Sequence, residues 1–101
     1  MTHEQLLAVM QHTPLPERMG NFERTRSPQQ TEETGSGLVF VEYSHLSEDV
    51  QFQAVLRGEQ ALLQVVQNGA ATPVRELTIE EVGHVLRADL LMMLEDLEDE
   101  L

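Results

Sequence analysis

Residues 50–67, VQFQAVLRGEQALLQVVQ, decide what this chain can become. As a hairpin they supply a sheet. As a helix they leave a neighbouring strand without partners. Two periods compete. Val50, Phe52, Ala54 and Leu56 alternate with Gln51, Gln53 and Arg57, and GEQ offers a turn. The helical period covers more residues: Gln53, Arg57, Gln60, Gln64 and Gln67 recur at steps of four, three, four and three. Phe52, Val55, Leu56, Leu62, Leu63 and Val66 then fall on the opposite side. Ser47 suits an N-cap, Glu48 and Asp49 suit the first turn, and Asn68-Gly69 suits a C-terminal cap. Gly58 inside such a helix costs about 1 kcal/mol. The polar stripe therefore favours a helix over 47–68, with a β-hairpin at 50–67 as the alternative.

The flanking segments build on that choice. Thr2 and Gln5 form a capping box ahead of a short apolar run, ended by Pro14 and Pro16. Residues 15–37 have no apolar period and are rich in Pro, Gly, Ser, Thr and charge, so they read as a mobile or surface-wrapped segment. Met19 and Phe22 would anchor it, and Arg18, Arg24 and Arg26 would give it a basic character. GLVFVEYS carries the strongest strand signal, with a strand expected at 38–44. A lone strand needs backbone partners, which a second subunit would supply if 47–68 is helical. AATPVREL, broken by Pro73, reads as a connector. Thr78 and Glu81 then open a helix over 78–101, whose apolar face runs Ile79, Val82, Leu86, Leu90, Met93, Leu97 and Leu101. The expected fold is a single domain over 1–101. It is mainly α, with an antiparallel helix pair (47–68 and 78–101), a short N-terminal helix and one strand.

Composition limits the chemistry. Six basic residues, all Arg, stand against eighteen acidic ones, a net charge of −12. Such a charge repels nucleic acid and anionic membranes, so basic protein surfaces are the natural attraction. The absence of Cys removes disulfides, thiolate metal sites and thiol catalysis. No phosphate-cradling glycine loop and no G-x-S-x-G is present. Glu81-x-x-His84 has the spacing of one di-iron ligand pair, but both residues fall opposite the apolar face. The expectation is a non-enzymatic cytoplasmic protein without metal, cofactor or membrane span.

The functional hint lies in LLMMLEDLEDEL, residues 90–101. Val85, Leu90, Leu91, Met92 and Leu94 give the last helix more apolar surface than one partner layer covers. Methionine suits adaptable interfaces. Glu95, Asp96, Glu98, Asp99 and Glu100 crowd the helix C-terminus, where each acid opposes the dipole. A basic neighbour would reconcile these features: either the Arg18–Arg26 arm or another protein. These residues indicate a protein-binding regulator of the inhibitor or anti-activator type. It would cover a partner's dimerisation or basic functional surface and is expected to be a homodimer. In size, acidity and lack of Cys the chain also resembles the small dimeric chaperones of bacterial secretion systems, a likeness of composition. That resemblance implies an α/β fold and a secretion or assembly role. A DNA mimic is the third reading, and it requires acids spaced like phosphates.

Overall fold

The computed structural model describes residues 2–12 and 14–100. It overturns the mainly helical expectation. Seven strands form one antiparallel sheet: β1 (Arg18–Met19), β2 (Phe22–Arg26), β3 (Glu32–Thr34), β4 (Gly37–His45), β5 (Val50–Arg57), β6 (Gln60–Gln67) and β7 (Ala70–Thr78). Two helices complete the described residues, α1 (His3–Met10) and α2 (Ile79–Glu100). The strands run in the order β1-β2-β4-β5-β6-β7. β3 pairs with the first part of β4 and β2 with the last part, on the edge opposite β5.

Residues 50–67 are the β5–β6 hairpin, from Val50↔Gln67 to Arg57↔Gln60, so the helix over 47–68 does not form. Gly58 (φ 61°) occupies the tip. Asn68 (φ 52°) and Gly69 (φ 82°) make the next turn, where two positive-φ residues match the right-handed twist of the flanking strands. What looked like a helix penalty and a helix cap are two hairpin turns. The AATPVREL connector is β7, an edge strand, where proline is tolerated because one side of the strand has no ladder to break.

Segment 15–37, expected to be mobile or wrapped over the surface, supplies β1, β2 and β3. Phe22 is buried, and its ring meets His45 edge-on at 5.1 Å. The β4 strand finds partners along both its edges within the chain, which removes the reason for pairing it across a dimer. At its end, the His45 Nδ1 accepts hydrogen bonds from the Ser47 and Glu48 amides at 3.2 and 3.0 Å and so shapes the turn into β5.

The helices cover one face of the sheet. Thr2 and Gln5 cap α1 reciprocally, which turns Leu6 and Met10 into the core. Across the sheet, Phe40, Tyr43, Phe52, Ala54, Leu56 and Leu63 meet Val82, Leu86, Leu90 and Leu94 of α2 in one apolar cluster. The other face carries a small cluster of Val39, Val55 and Leu62. Beside it runs a polar ladder. Thr25 Oγ1 donates to Glu42 at 2.6 Å, Gln53 Nε2 donates to Glu42 at 2.7 Å, and Gln64 Nε2 donates to Gln53 at 2.7 Å. Gln64 is thereby buried without losing its hydrogen bonding.

Between α1 and β1, the Pro14-Leu15-Pro16 stretch has no ladder of its own. Its three carbonyls accept instead from side chains: Arg87 Nε at 2.7 Å, Arg24 Nη1 at 2.8 Å and Tyr43 Oη at 2.5 Å. Burial raises the Tyr43 pKa above its ordinary value, while the Arg24 and Arg87 guanidiniums pull it the other way. The folded chain thus holds this proton more tightly than the unfolded chain does. The resulting stability is full below the unfolded value near 10 and is lost as pH rises through the higher folded value. Tyr43→Phe is therefore expected to flatten the alkaline fall of the urea midpoint. At neutral pH it removes a hydrogen bond worth about 1 kcal/mol. An unchanged alkaline slope would assign that fall to other groups.

Candidate functional site

Each end of α2 has its own chemistry. At the start, Thr78 Oγ1 accepts from the Glu81 amide at 3.1 Å, and the Glu81 carboxylate accepts from the Thr78 amide at 3.2 Å. Glu81 is thus a capping residue, and His84 is exposed. Among the described residues no three His, Asp or Glu side chains converge as a metal site would require. Midway, Arg75 of β7 forms an ion pair with Asp89 and ties the helix to the sheet edge.

The C-terminal half divides the residues expected to bind a partner. Leu90 and Leu94 are buried in the core and offer nothing to a partner in the folded state. Val85 and Leu91 are half-buried. Met92 is 64% exposed, the largest exposure among the big apolar side chains described. Glu95, Asp96 and Asp99 are exposed. Glu98 turns back to the β1–β2 turn, where it accepts from the Asn21 side-chain amide at 2.6 Å and the Asn21 backbone amide at 3.3 Å.

The address of the basic neighbour can now be followed arginine by arginine. Arg18 donates to the Gly20 carbonyl, Arg24 to Leu15, Arg57 to Ser36 and Arg87 to Pro14. Arg26 pairs with Glu32 at 2.9 Å, and Arg75 pairs with Asp89. All six cations are engaged within the chain. Among the described residues, none forms an ion pair with the acids at the end of α2. The Arg18–Arg26 arm folds into strands that lean on backbone carbonyls and Glu32.

Sequence reasoning missed a cleft beside this acidic end. Phe52, Val65 and Val74 of the sheet and Met93 and Leu97 of α2 form its apolar walls, and Asp96 and Glu100 stand among its lining residues. Its volume is about 300 Å³. Val74 is 49% exposed here because β7 is an edge strand. A second, smaller hollow of about 150 Å³ lies where Met19, Gly20 and Leu94 meet Glu95, Glu98 and Asp99. Both recesses combine apolar walls with carboxylates. Neither has the nucleophile–base pair or convergent donors that bond-making chemistry needs. The signal for the cleft beside α2 was present in the sequence as Val74 and Met93, but only the strand assignment of 70–78 brings them together.

Comparison of the chain with protein-family models, curated proteins and solved structures finds no match.

Proposed function

We propose that this chain is a non-catalytic, acidic protein-binding regulator, of the inhibitor or anti-activator type, that engages a basic protein surface at the C-terminal half of α2. The observation that carries this reading is the use of charge. Every arginine is engaged internally, while Glu95, Asp96, Asp99 and Glu100 face outward beside an apolar cleft and next to exposed Met92. Acids at a helix C-terminus oppose the dipole, at about 0.3–1 kcal/mol each. A partner's Lys or Arg residues would offset that cost on binding. Apolar contacts would provide most of the affinity, and charge would accelerate encounter and select the partner. No helix among the described residues is long and apolar enough to cross a membrane. A cytoplasmic site of action belongs to the proposal.

The expected result joins two opposite effects in one variant. Glu95→Gln, Asp96→Asn and Asp99→Asn together are expected to raise thermal stability, chiefly through Asp99 in the last turn of α2, by about 0.3–1 kcal/mol. The same changes are expected to slow association and to lower capture of basic partners from the source cell severalfold, while Glu98 is left to hold Asn21. Undiminished capture of the same partners by this variant would overturn the reading. Binding should weaken mildly with salt; a steep loss would instead suit a nucleic-acid mimic.

A second reading, a small dimeric secretion-type or assembly chaperone, is favoured by one observation. Residues 50–67 are a hairpin in a helix-covered sheet, as that resemblance implies. It differs in the state of the partner: a chaperone holds an unfolded client segment, whereas a regulator covers a folded surface.

A further inference from the structure

We propose that the partner's contacting segment binds as an added strand along the free edge of β7, with one side chain in the cleft under α2 and the next in a hollow on the opposite face. This deepens the docking-site reading above and rests on it. The two edges of the sheet differ. At one, β1 has two residues, and Glu98 of α2 is hydrogen-bonded to the adjoining turn. At the other, β7 offers nine residues, paired among the described residues only with β6 and exposed at every position but Leu77. Such an edge presents backbone donors and acceptors that an extended segment can complete.

Val74 gives the edge its register. Leu63 faces Arg75 and Gln64 faces Pro73, so Val74 is the extra residue of a bulge. It borders two recesses. One is the cleft toward α2, and the other is a hollow of about 330 Å³ lined with Arg57, Leu62, Pro73 and Glu76. Successive side chains of a strand point to opposite faces. Two consecutive residues of an added strand at this point would therefore enter the two recesses. Asp96 and Glu100 at the first recess select Lys or Arg beside the apolar residue that enters it.

Charge also decides the occupant. A second copy would bring another Asp96 and Glu100 to the same edge, and a further net charge of −12, with all its arginines already engaged. Pro73 withholds a backbone donor, which further discourages open-ended pairing of like edges. A basic, apolar segment meets the acids with opposite charge and needs only a short ladder.

The test uses the intact chain and a capped peptide of about eight residues built of Arg-Arg-Val-Val repeats, so that Arg and Val alternate along each face and the length spans the edge. Its control carries an N-methyl group on every backbone nitrogen, which keeps charge and side chains but blocks a ladder at both edges. The expected result is slowed hydrogen exchange at β7 amides between Val74 and Thr78, and binding of the control weaker by about tenfold or more. Val74→Ser, which removes the apolar wall without adding charge, is expected to weaken the unmodified peptide to a similar degree. If both peptides bind equally, with changes confined to the acids of α2, strand addition is overturned and the basic-partner reading stands. If neither binds at low salt and millimolar concentration, both readings fall. Concentration-dependent protection of β7 without peptide would place a second copy on the edge and overturn the proposal.

Discussion

Leu94→Ala is expected to destabilise the chain by about 2–5 kcal/mol, the range for emptying a leucine site in a packed core. Leu94 is 1% exposed and sits in the same cluster as Phe22, Tyr43 and Phe52. Domains of this size carry roughly 5–15 kcal/mol in all, so one substitution removes a large part of it. Urea denaturation at neutral pH gives the measurement. Met92→Ala, two residues earlier on the same helix, is expected to stay within about 0.5 kcal/mol because its side chain faces solvent. The contrast separates core from interface. Partner binding lost in Met92→Ala belongs to the surface, whereas loss in Leu94→Ala follows from unfolding. Equal effects of the two on stability would show that the rotation of α2 over the sheet is wrong.

Gly37→Ala is expected to be comparably severe for a different reason. Gly37 opens β4 at φ 131°, a conformation that side chains rarely adopt. A methyl group there would lie 2.5 Å from the Leu56 carbonyl oxygen and 2.9 Å from a Val55 methyl. The first contact is with backbone in a central strand, which cannot swing aside. Backbone strain of about 1–3 kcal/mol and overpacking of about 1–3 kcal/mol add to a loss of roughly 2–6 kcal/mol. Gly58→Ala gives the comparison. Its site is open, so only the positive φ is penalised, at about 1–2 kcal/mol. Thermal melting of both variants checks the order. A Gly37→Ala protein no less stable than Gly58→Ala would mean that β4 and β5 separate easily at this point.

Why the helices and β4 were legible, and β5–β6 was not, has a physical answer. Caps are local: Thr2 with Gln5 and Thr78 with Glu81 act within one turn, and both boxes form as their spacing implies. The face Ile79, Val82, Leu86 and Leu90 likewise meets the core. A hairpin is a reflection about its turn. Folding the chain at Gly58-Glu59 places Gln53 opposite Gln64 and Arg57 opposite Gln60. Those cross-strand pairs generate the steps of four and three that imitate a helix. The apolar set divides in the same way. Phe52, Leu56 and Leu63 face the helices, while Val55 and Leu62 lie on the other face. Asn68-Gly69 was the decisive local signal, since this pair favours a two-residue hairpin turn.

The remaining strands were hidden by their position. β2 buries one face only, so FERTR carries a single large apolar residue amid charge. β7 is an edge and contains proline. Both look like loops because half or more of each strand meets water. The exposure of the candidate residues was legible in part. Met92 and the acids are at the surface, but Leu90 and Leu94 were needed inside. Which apolar residues exceed the needs of a core depends on how wide the facing layer is. A sheet absorbs more of α2 than a single partner helix would.

The strap at residues 14–16 bears on how the chain is made. Arg87, 73 residues downstream of Pro14, holds the carbonyl there, and Glu98, 77 residues beyond Asn21, holds that amide. The first part of the chain therefore takes its fastenings from the last. On a ribosome, β1 and β2 would emerge and find β4 well before α2, but their contacts with Arg87 and Glu98 must wait until α2 is free of the exit tunnel. Assembly is thus a closing event that follows synthesis of α2, and stalling translation within α2 should leave the early segment open to protease.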